Sequence, residues 1–250
     1  MAWYTAVFLG LVQGLAEFLP ISSSGHLLLF ETWFGITDGG LLLTLILHLA
    51  TLLAVVVVYR RRLWALIRHP WCPETAYLVV ATVITCGLVL LFKDVIDGLF
   101  TVAALPYLFL GCGVYLLLPT LFKPRERQRP WVQAIAMGFA QGVAVVPGLS
   151  RSGMTITTGR LAGMDAAAAT DFSFLMSLPI ICASLVYEIF RGGSVESLGF
   201  GNIVLAFVVA FVAGIIAIKW MLNLTRRIDL RWFAFYLLFL GGGLWLWGWF

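Results

Sequence analysis

The sequence predicts an all-α polytopic membrane protein made of two inverted-topology repeats, each a re-entrant broken-helix pair followed by three transmembrane helices. Composition gives the first reason. Hydrophobic residues make up 62% and charged residues 11% of the 250 residues, and the mean hydropathy is +1.01. A soluble domain carries about a quarter charged residues, so this class is excluded. The other two reasons are six long apolar segments and a polar motif that occurs twice.

Six segments are apolar enough, and close enough to the roughly 20 residues required, to cross a bilayer as helices. They lie at residues 40–59, 75–92, 102–121, 172–190, 201–221 and 232–249. Two further regions, 2–34 and 131–163, could each hold two helices but are interrupted by Pro, Ser and Gly. Each could form two short full spans or a re-entrant pair. The polar breaks favour re-entry, because irregular backbone at membrane depth must be surrounded by protein or line a cavity.

The two interrupted regions carry nearly the same motif, 128 positions apart. Residues 10–26 are GLVQGLAEFLPISSSGH, and residues 138–154 are GFAQGVAVVPGLSRSGM. Both copies begin with a Gly-x-x-x-Gly pair, which predicts that the two first half-helices pack closely together. We therefore predict a single integral membrane domain over 1–250, with repeat 1 at residues 1–122 and repeat 2 at residues 130–250.

Basic residues predict the orientation. If both interrupted regions return to the side they entered, then all 16 Lys and Arg residues except Lys93, Arg151 and Arg191 fall on one side. The positive-inside rule makes that side cytoplasmic and puts both termini outside. Three spans follow each broken pair, so the second repeat crosses the membrane upside down, as in transporters. Residues 1–16 contain no basic residue, which does not fit a cleaved signal peptide.

Three ionisable residues lie at the breaks, namely Glu17, His26 and Arg151. A charge inside a membrane helix costs roughly 2.5–3.5 kcal/mol, so such residues usually have a partner or a function. The alternative for Arg151 is a structural residue that reaches the membrane interface. We assign His48, inside a span, a structural role, and His69 a solvated loop. The net charge of +4 follows the membrane topology and does not indicate nucleic-acid binding.

The turns after Pro20 and Pro147 are predicted to begin new helices. Backbone N–H groups and the positive dipole end at a helix start favour an anion. Together with the guanidinium of Arg151 and several hydroxyls, they predict a phosphate cradle. The residues assigned to substrate binding are Gln13, Ser22, Ser24, Ser150, Ser152 and Thr155.

Several segments resemble the signature motifs of undecaprenyl-diphosphate phosphatases, also called bacitracin-resistance proteins. They are Gln13-x-x-x-Glu17, residues 18–26 (FLPISSSGH), residues 147–155 (PGLSRSGMT), residues 171–175 (DFSFL) and Pro179. The resemblance covers essentially the whole chain. It implies hydrolysis of undecaprenyl diphosphate to undecaprenyl phosphate and inorganic phosphate, which recycles the lipid carrier for cell-wall synthesis. It also implies a bacterial plasma (inner) membrane location, a divalent cation, and a site open to the periplasmic side.

One position departs from the family pattern. Many members have Glu where this chain has Gln13. A neutral amide cannot act as a base and is a weaker metal ligand, so metal binding and acid–base chemistry are concentrated on Glu17. Mg²⁺ suits oxygen ligands and substrate phosphates, and Ca²⁺ is the alternative.

Each catalytic candidate has a role in the mechanistic hypothesis. Arg151 clamps the phosphoryl oxygens, because electrostatic stabilisation dominates phosphoryl transfer. Glu17 holds the cation, and His26 serves as general base or acid. Ser23 attacks as a covalent nucleophile activated by His26, or water attacks directly; the sequence leaves both routes open.

Two other functions share part of this pattern. Inverted repeats with broken helices are typical of transporters, so the same pocket could flip undecaprenyl phosphate. A lipid phosphatase that uses two histidines needs a second histidine after the Ser-Arg motif. No histidine follows His69, so this function is rejected.

The four cysteines lack Cys-x-x-Cys spacing and are interpreted as packing residues. Expected partners are the polyprenyl diphosphate lipid and membrane lipids; the oligomeric state is left open.

Overall fold

The structure, a computed structural model, describes residues 1–36, 40–191, 199–225 and 229–248. Within these ranges the chain is helical and contains no strand. The helices are α1 Trp3–Ala16, α2 Ser23–Trp33, α3 Gly40–Arg68, α4 Pro73–Leu91, α5 Lys93–Gly98, α6 Leu105–Phe122, α7 Pro130–Val143, α8 Arg151–Leu161, α9 Ala166–Arg191, α10 Phe200–Leu224 and α11 Arg231–Trp247. A short 3₁₀ turn, Val102–Ala104, leads into α6.

All six predicted spans are helices, namely α3, α4, α6, α9, α10 and α11. In the described part of the chain, five are long and apolar enough to cross a membrane: Leu43–Arg68, Pro73–Leu91, Val102–Phe122, Ala166–Val186 and Phe200–Leu224. The multi-pass membrane class is therefore confirmed. Helix α11 has 17 residues, and its role as a sixth span stays a prediction. Helix α5 was not predicted, because its six residues include three polar or charged ones and show no apolar run.

Each interrupted region contains two short helices joined by an irregular turn. Helices α1 and α7 both have 14 residues, and α2 and α8 both have 11. At 1.5 Å per residue these helices are about 21 Å and 16 Å long. Each is shorter than the roughly 30 Å hydrocarbon core of a bilayer.

The second helix of each pair begins where the sequence predicts. Ser22 caps α2 by accepting a hydrogen bond from Gly25 N at 3.3 Å, and Ser150 caps α8 by accepting one from Gly153 N at 3.1 Å. Such caps satisfy donors that the first helical turn leaves unpaired. Ser22 has a φ of 71°, in the left-handed region that a non-glycine residue rarely adopts. This strained conformation turns the chain sharply after Pro20.

The Gly-x-x-x-Gly pairs do not bring the first half-helices together, and that prediction is wrong. A Cβ added to Gly10 would lie 2.6 Å from the carbonyl oxygen of Ala206, so the α1 glycines face α10. A Cβ added to Gly138 would lie 2.7 Å from the carbonyl oxygen of Ala81, so the α7 glycines face α4. The motif does allow close helix approach, but the sequence cannot specify which helix approaches.

Replacing Gly138 by alanine is expected to destabilise the protein, because its methyl group would collide with the α4 backbone. Overpacking of this kind costs about 1–3 kcal/mol. The matched control is Gly87→Ala on α4, where an added Cβ meets no atom within 4 Å. Thermal unfolding of both variants in the same detergent would test this. A midpoint for Gly138→Ala equal to that of Gly87→Ala would contradict the packing.

The two irregular turns contact each other directly. The Ser22 hydroxyl accepts a hydrogen bond from Gly148 N at 3.1 Å, and the Ser152 hydroxyl donates one to the carbonyl oxygen of Leu19 at 3.1 Å. Gly25 permits this approach, because a Cβ there would lie 2.9 Å from the Cα of Gly148. These hydrogen bonds join the turns of the two broken-helix pairs, called the two tips from here on, as a phosphate cradle built from both turns requires.

Candidate active site

Glu17, the residue that follows α1, is the centre of the polar contacts between the two tips. Its side chain is only 4% exposed. Its Oε2 atom accepts hydrogen bonds from Ser23 Oγ at 2.6 Å and from Gln13 Nε2 at 3.1 Å. Gln13 can reach it because the two residues are one helical turn apart. A buried carboxylate needs such partners, since burying a charge is otherwise costly.

Arg151, the first residue of α8, brings a positive charge to this carboxylate from the other tip. Its Nη1 atom lies 3.3 Å from Glu17 Oε1, and its side chain is 21% exposed. The same Nη1 atom is buried and makes no hydrogen bond of normal geometry. The guanidinium therefore balances Glu17 and keeps donor capacity for an incoming anion.

A small pocket opens beside this ion pair. Its lining residues are Glu17, Phe18, Arg151, Ser152, Ser173, Phe174 and Ser177. The rings of Phe18 and Phe174 pack edge to face with centroids 5.4 Å apart, which gives the pocket an apolar wall. Ser173 and Ser177 lie one turn apart on α9 and supply hydroxyls on another wall. These two serines are not among the site residues predicted from the sequence, although Ser173 lies in the DFSFL segment.

The remaining hydroxyl candidates mostly support the tips. Ser22 and Ser150 are the helix caps described above, and Ser150 Oγ also lies 3.2 Å from Ser152 Oγ. Thr155 Oγ1 donates to the carbonyl oxygen of Arg151 at 2.7 Å and lies 2.7 Å from Ser173 Oγ. Thr155 thus ties α8 to the α9 wall of the pocket.

Two other candidates lie outside this group of contacts. Ser24, in the first turn of α2, is partly exposed. The ring of His26 is stacked on Tyr236, with centroids 5.7 Å apart. His26 Nδ1 lies 2.7 Å from the carbonyl oxygen of Ser22, and Nε2 lies 2.7 Å from the hydroxyl of Tyr236. Within the described residues, neither nitrogen contacts Glu17 or Ser23; the catalytic role predicted for His26 stays a prediction.

A different histidine contacts Glu17. His48 Nε2, on α3, lies 3.6 Å from Glu17 Oε2, although sequence reasoning assigned His48 a structural role. Its position within an apolar span gave no local signal of this contact. Only the packing of α3 beside the end of α1 reveals it.

The oxygen atoms near Glu17 could supply part of the coordination shell of a hard divalent cation. In the described ranges, no group of three His, Cys, Asp or Glu residues could hold a metal ion. Glu17 supplies one carboxylate and Ser23 a hydroxyl, and Gln13 Oε1 is buried without a hydrogen-bond partner. Mg²⁺ typically takes one or two protein carboxylates and completes its shell with phosphates and water. The residues present fit this kind of shared site.

Comparison with known proteins identifies relatives along nearly the whole chain. Residues 6–243 match the family described as bacitracin resistance protein BacA. An undecaprenyl-diphosphatase of Treponema denticola is 37% identical, covering 100% of this chain and 98% of the relative. Undecaprenyl-diphosphatase 1 of Shouchella clausii is 38% identical, covering 94% and 93%. An undecaprenyl-diphosphatase of Carboxydothermus hydrogenoformans is 34% identical, covering 95% and 94%.

Proposed function

The chain belongs to the bacitracin resistance protein BacA family, and from this premise we infer that it hydrolyses undecaprenyl diphosphate to undecaprenyl phosphate and inorganic phosphate. The resemblance of the sequence motifs to those of undecaprenyl-diphosphate phosphatases is thereby confirmed. The protein is a membrane hydrolase whose substrate is a polyprenyl diphosphate lipid. Its product, undecaprenyl phosphate, is the carrier lipid used in peptidoglycan synthesis.

One observation carries the proposed catalytic site: Ser23 Oγ donates a hydrogen bond to Glu17 at 2.6 Å while Arg151 lies beside the same carboxylate. A hydroxyl paired with a base is the usual signature of an activated nucleophile. A cation next to this pair is suited to neutralise phosphoryl oxygens. The three side chains line or adjoin one pocket, and they come from both tips.

We propose the following reaction. Ser23 Oγ attacks the terminal phosphorus and transfers its proton to Glu17. The bond from this phosphorus to the bridging oxygen breaks, Glu17 passes the proton to the released oxygen, and undecaprenyl phosphate leaves. Glu17 then deprotonates a water molecule that hydrolyses the phosphoserine, returns this proton to Ser23 Oγ, and inorganic phosphate is released. Direct attack by water, with Glu17 as base, is the alternative.

Arg151 supplies the charge stabilisation in this scheme. Phosphoryl transfer depends mainly on positioning and on neutralising the equatorial oxygens. The guanidinium donates to these oxygens in a planar fork that a point charge cannot reproduce. Ser152, Ser173 and Ser177 place hydroxyl groups around the same pocket, and those of Ser152 and Ser177 already donate to the carbonyl oxygens of Leu19 and Phe174.

We propose that a divalent cation, Mg²⁺ or Ca²⁺, binds at Glu17 together with the substrate. Gln13 and Ser23 are the other protein residues that would hold it. The support is the oxygen-rich donor set and the unpartnered Gln13 Oε1. When bound, the cation would neutralise the charge of the diphosphate.

We also propose that the two halves are inverted repeats, with both termini and the site mouth on the periplasmic side. Two observations support the repeat. The first helices of the two pairs have equal lengths, as do the second helices. In addition, α1 of the first half packs on α10 of the second half, and α7 of the second half packs on α4, the helix of the first half that corresponds to α10. The bias of basic residues supports the orientation.

Purified protein in detergent tests the function. We expect it to release inorganic phosphate from undecaprenyl diphosphate without any membrane separating two sides. A transporter of undecaprenyl phosphate, the competing function, would release none. Undecaprenyl monophosphate as substrate is the negative control, since it lacks the diphosphate anhydride.

Replacing Ser23 by alanine is expected to reduce kcat at least about 10²-fold, because the nucleophile is lost. Thr32→Ala, on the exposed side of α2, is the control and should keep wild-type turnover. Rapid quench and mass spectrometry of the wild type should detect phosphate on Ser23. Substantial turnover in Ser23→Ala would instead favour direct attack by water.

A further inference from the structure

His48 contacts the carboxylate of Glu17 from α3, and no role in the reaction described above uses it. We propose that His48 is a positioning residue that keeps Glu17 directed at Ser23 while Arg151 binds the phosphate of the substrate. The proposal rests on the proposed function, because it concerns the same site.

The His48 ring is held in a defined orientation by its own helix. Its Nδ1 atom lies 2.7 Å from the carbonyl oxygen of Thr44, one turn earlier. A carbonyl oxygen can only accept, so Nδ1 carries a proton and donates it. The opposite nitrogen, Nε2, faces Glu17 Oε2 at 3.6 Å, and it can donate to this carboxylate oxygen when the ring carries a proton on both nitrogens. Active-site contacts of this length often shorten when the substrate binds.

Glu17 is held through its two oxygens in different ways. Oε1 is paired with Arg151, which the reaction also needs for the phosphate. Oε2 is contacted by Gln13 from α1, Ser23 from α2 and His48 from α3. When the guanidinium turns to the phosphate, these Oε2 contacts must hold the carboxylate. Gln13 lies on the helix that precedes Glu17, and Ser23 is the proposed nucleophile itself. His48 is therefore the contact that comes from a separate helix and takes no part in the bond changes.

Helix α3 supports the same carboxylate at a second point. Thr51 Oγ1 lies 3.0 Å from the carbonyl oxygen of His48 and 3.4 Å from Gln13 Nε2. Gln13 in turn donates to Glu17. His48 and Thr51 therefore form one face of α3 that orients Glu17, directly and through Gln13. Side chains that orient a reacting group typically change activity about 10- to 100-fold when removed.

Two substitutions at His48 separate its contacts. His48→Gln can put an amide nitrogen near the Nε2 position and keep the contact with Glu17. His48→Asn is shorter, can still donate to the Thr44 carbonyl, and cannot reach Glu17. We expect His48→Asn to lower kcat about 10-fold or more, with KM changed less than about threefold because His48 does not bind the substrate. His48→Gln should recover most of this loss. His69→Gln, in the loop after α3, is the matched control.

The readouts are kcat, KM and the thermal midpoint of each variant in the same detergent. Wild-type turnover in His48→Asn, or equal losses in the Asn and Gln variants, would overturn the proposal. A rise in KM at unchanged kcat would also overturn it, because His48 would then bind substrate. A loss of activity in His48→Asn that is matched by a lower thermal midpoint would also overturn the proposal, because His48 would then stabilise the fold rather than position Glu17. Absence of phosphate release by the wild type would instead refute the proposed function itself.

Discussion

Arg151→Ala is expected to reduce kcat/KM by about 10²–10³-fold, the usual effect of removing one charge-stabilising donor from a transition state. The guanidinium is the cation that lines the pocket, and its Nη1 atom has unused donor capacity. Phosphate release from undecaprenyl diphosphate is the measurement. Arg151→Lys keeps the charge but loses the planar fork, so its activity should fall between those of wild type and Arg151→Ala.

The Arg151→Ala experiment must distinguish a loss of catalysis from a loss of folding. Removing one partner of a buried ion pair can cost about 3–5 kcal/mol, and Arg151→Ala leaves Glu17 uncompensated. Arg151→Lys retains the pairing, so it keeps the test valid if the alanine variant does not fold. Arg160→Ala, at the other end of α8, is the control for the loss of an arginine from this helix. Near-normal turnover in folded Arg151→Ala would refute the assignment of the anion clamp.

Glu17→Gln is expected to reduce kcat at least about 10²-fold, since general-base catalysis typically contributes 10²–10⁴-fold. The substitution keeps the size of the side chain and its ability to accept from Ser23. It removes the base and the carboxylate ligand. The same assay, repeated over a range of Mg²⁺ concentrations, should show that the variant needs more cation for half of its residual activity.

Glu74→Gln is the matched control for this substitution. Glu74 pairs with Arg62 at a partly exposed position in the first turn of α4, and it is not among the residues that line the pocket. Surface pairs of this kind contribute little, so activity and cation dependence should remain those of wild type. If Glu17→Gln turned over substrate like Glu74→Gln, Glu17 would be neither the base nor the metal ligand.

Much of the fold was predictable because its signals are local. A run of about 20 apolar residues crosses a bilayer as a helix, because a helix satisfies its backbone hydrogen bonds within the segment, and Pro followed by Ser and Gly interrupts it. Hence the six long helices and both breaks were predicted, although α3 continues past the predicted end at residue 59 to Arg68 and α9 begins at Ala166 rather than at residue 172. The caps at Ser22 and Ser150 were predictable for the same reason, since a cap depends on residues only three positions apart.

The partners of these helices were not predictable in the same way. The glycines of α1 indicate a close helix contact, but any helix with a small residue could provide the other side. The prediction that α1 and α7 pack together failed for this reason. The observed partner of Gly10 is the backbone at Ala206, on a helix that the repeat pattern alone does not select.

The candidate site likewise has features that the sequence predicts and features that only helix packing decides. The sequence by itself determined that Glu17 and Arg151 are costly charges within apolar segments, and this predicts that they belong to a functional site. It also determined the family, through two motifs whose residues are adjacent in the chain. Which histidine contacts the carboxylate was decided only by the tertiary structure. The ring of His26 packs on Tyr236, and α3 brings His48 to Glu17. The physical reason is that a side-chain contact between helices depends on how those helices pack, which no local pattern of residues specifies.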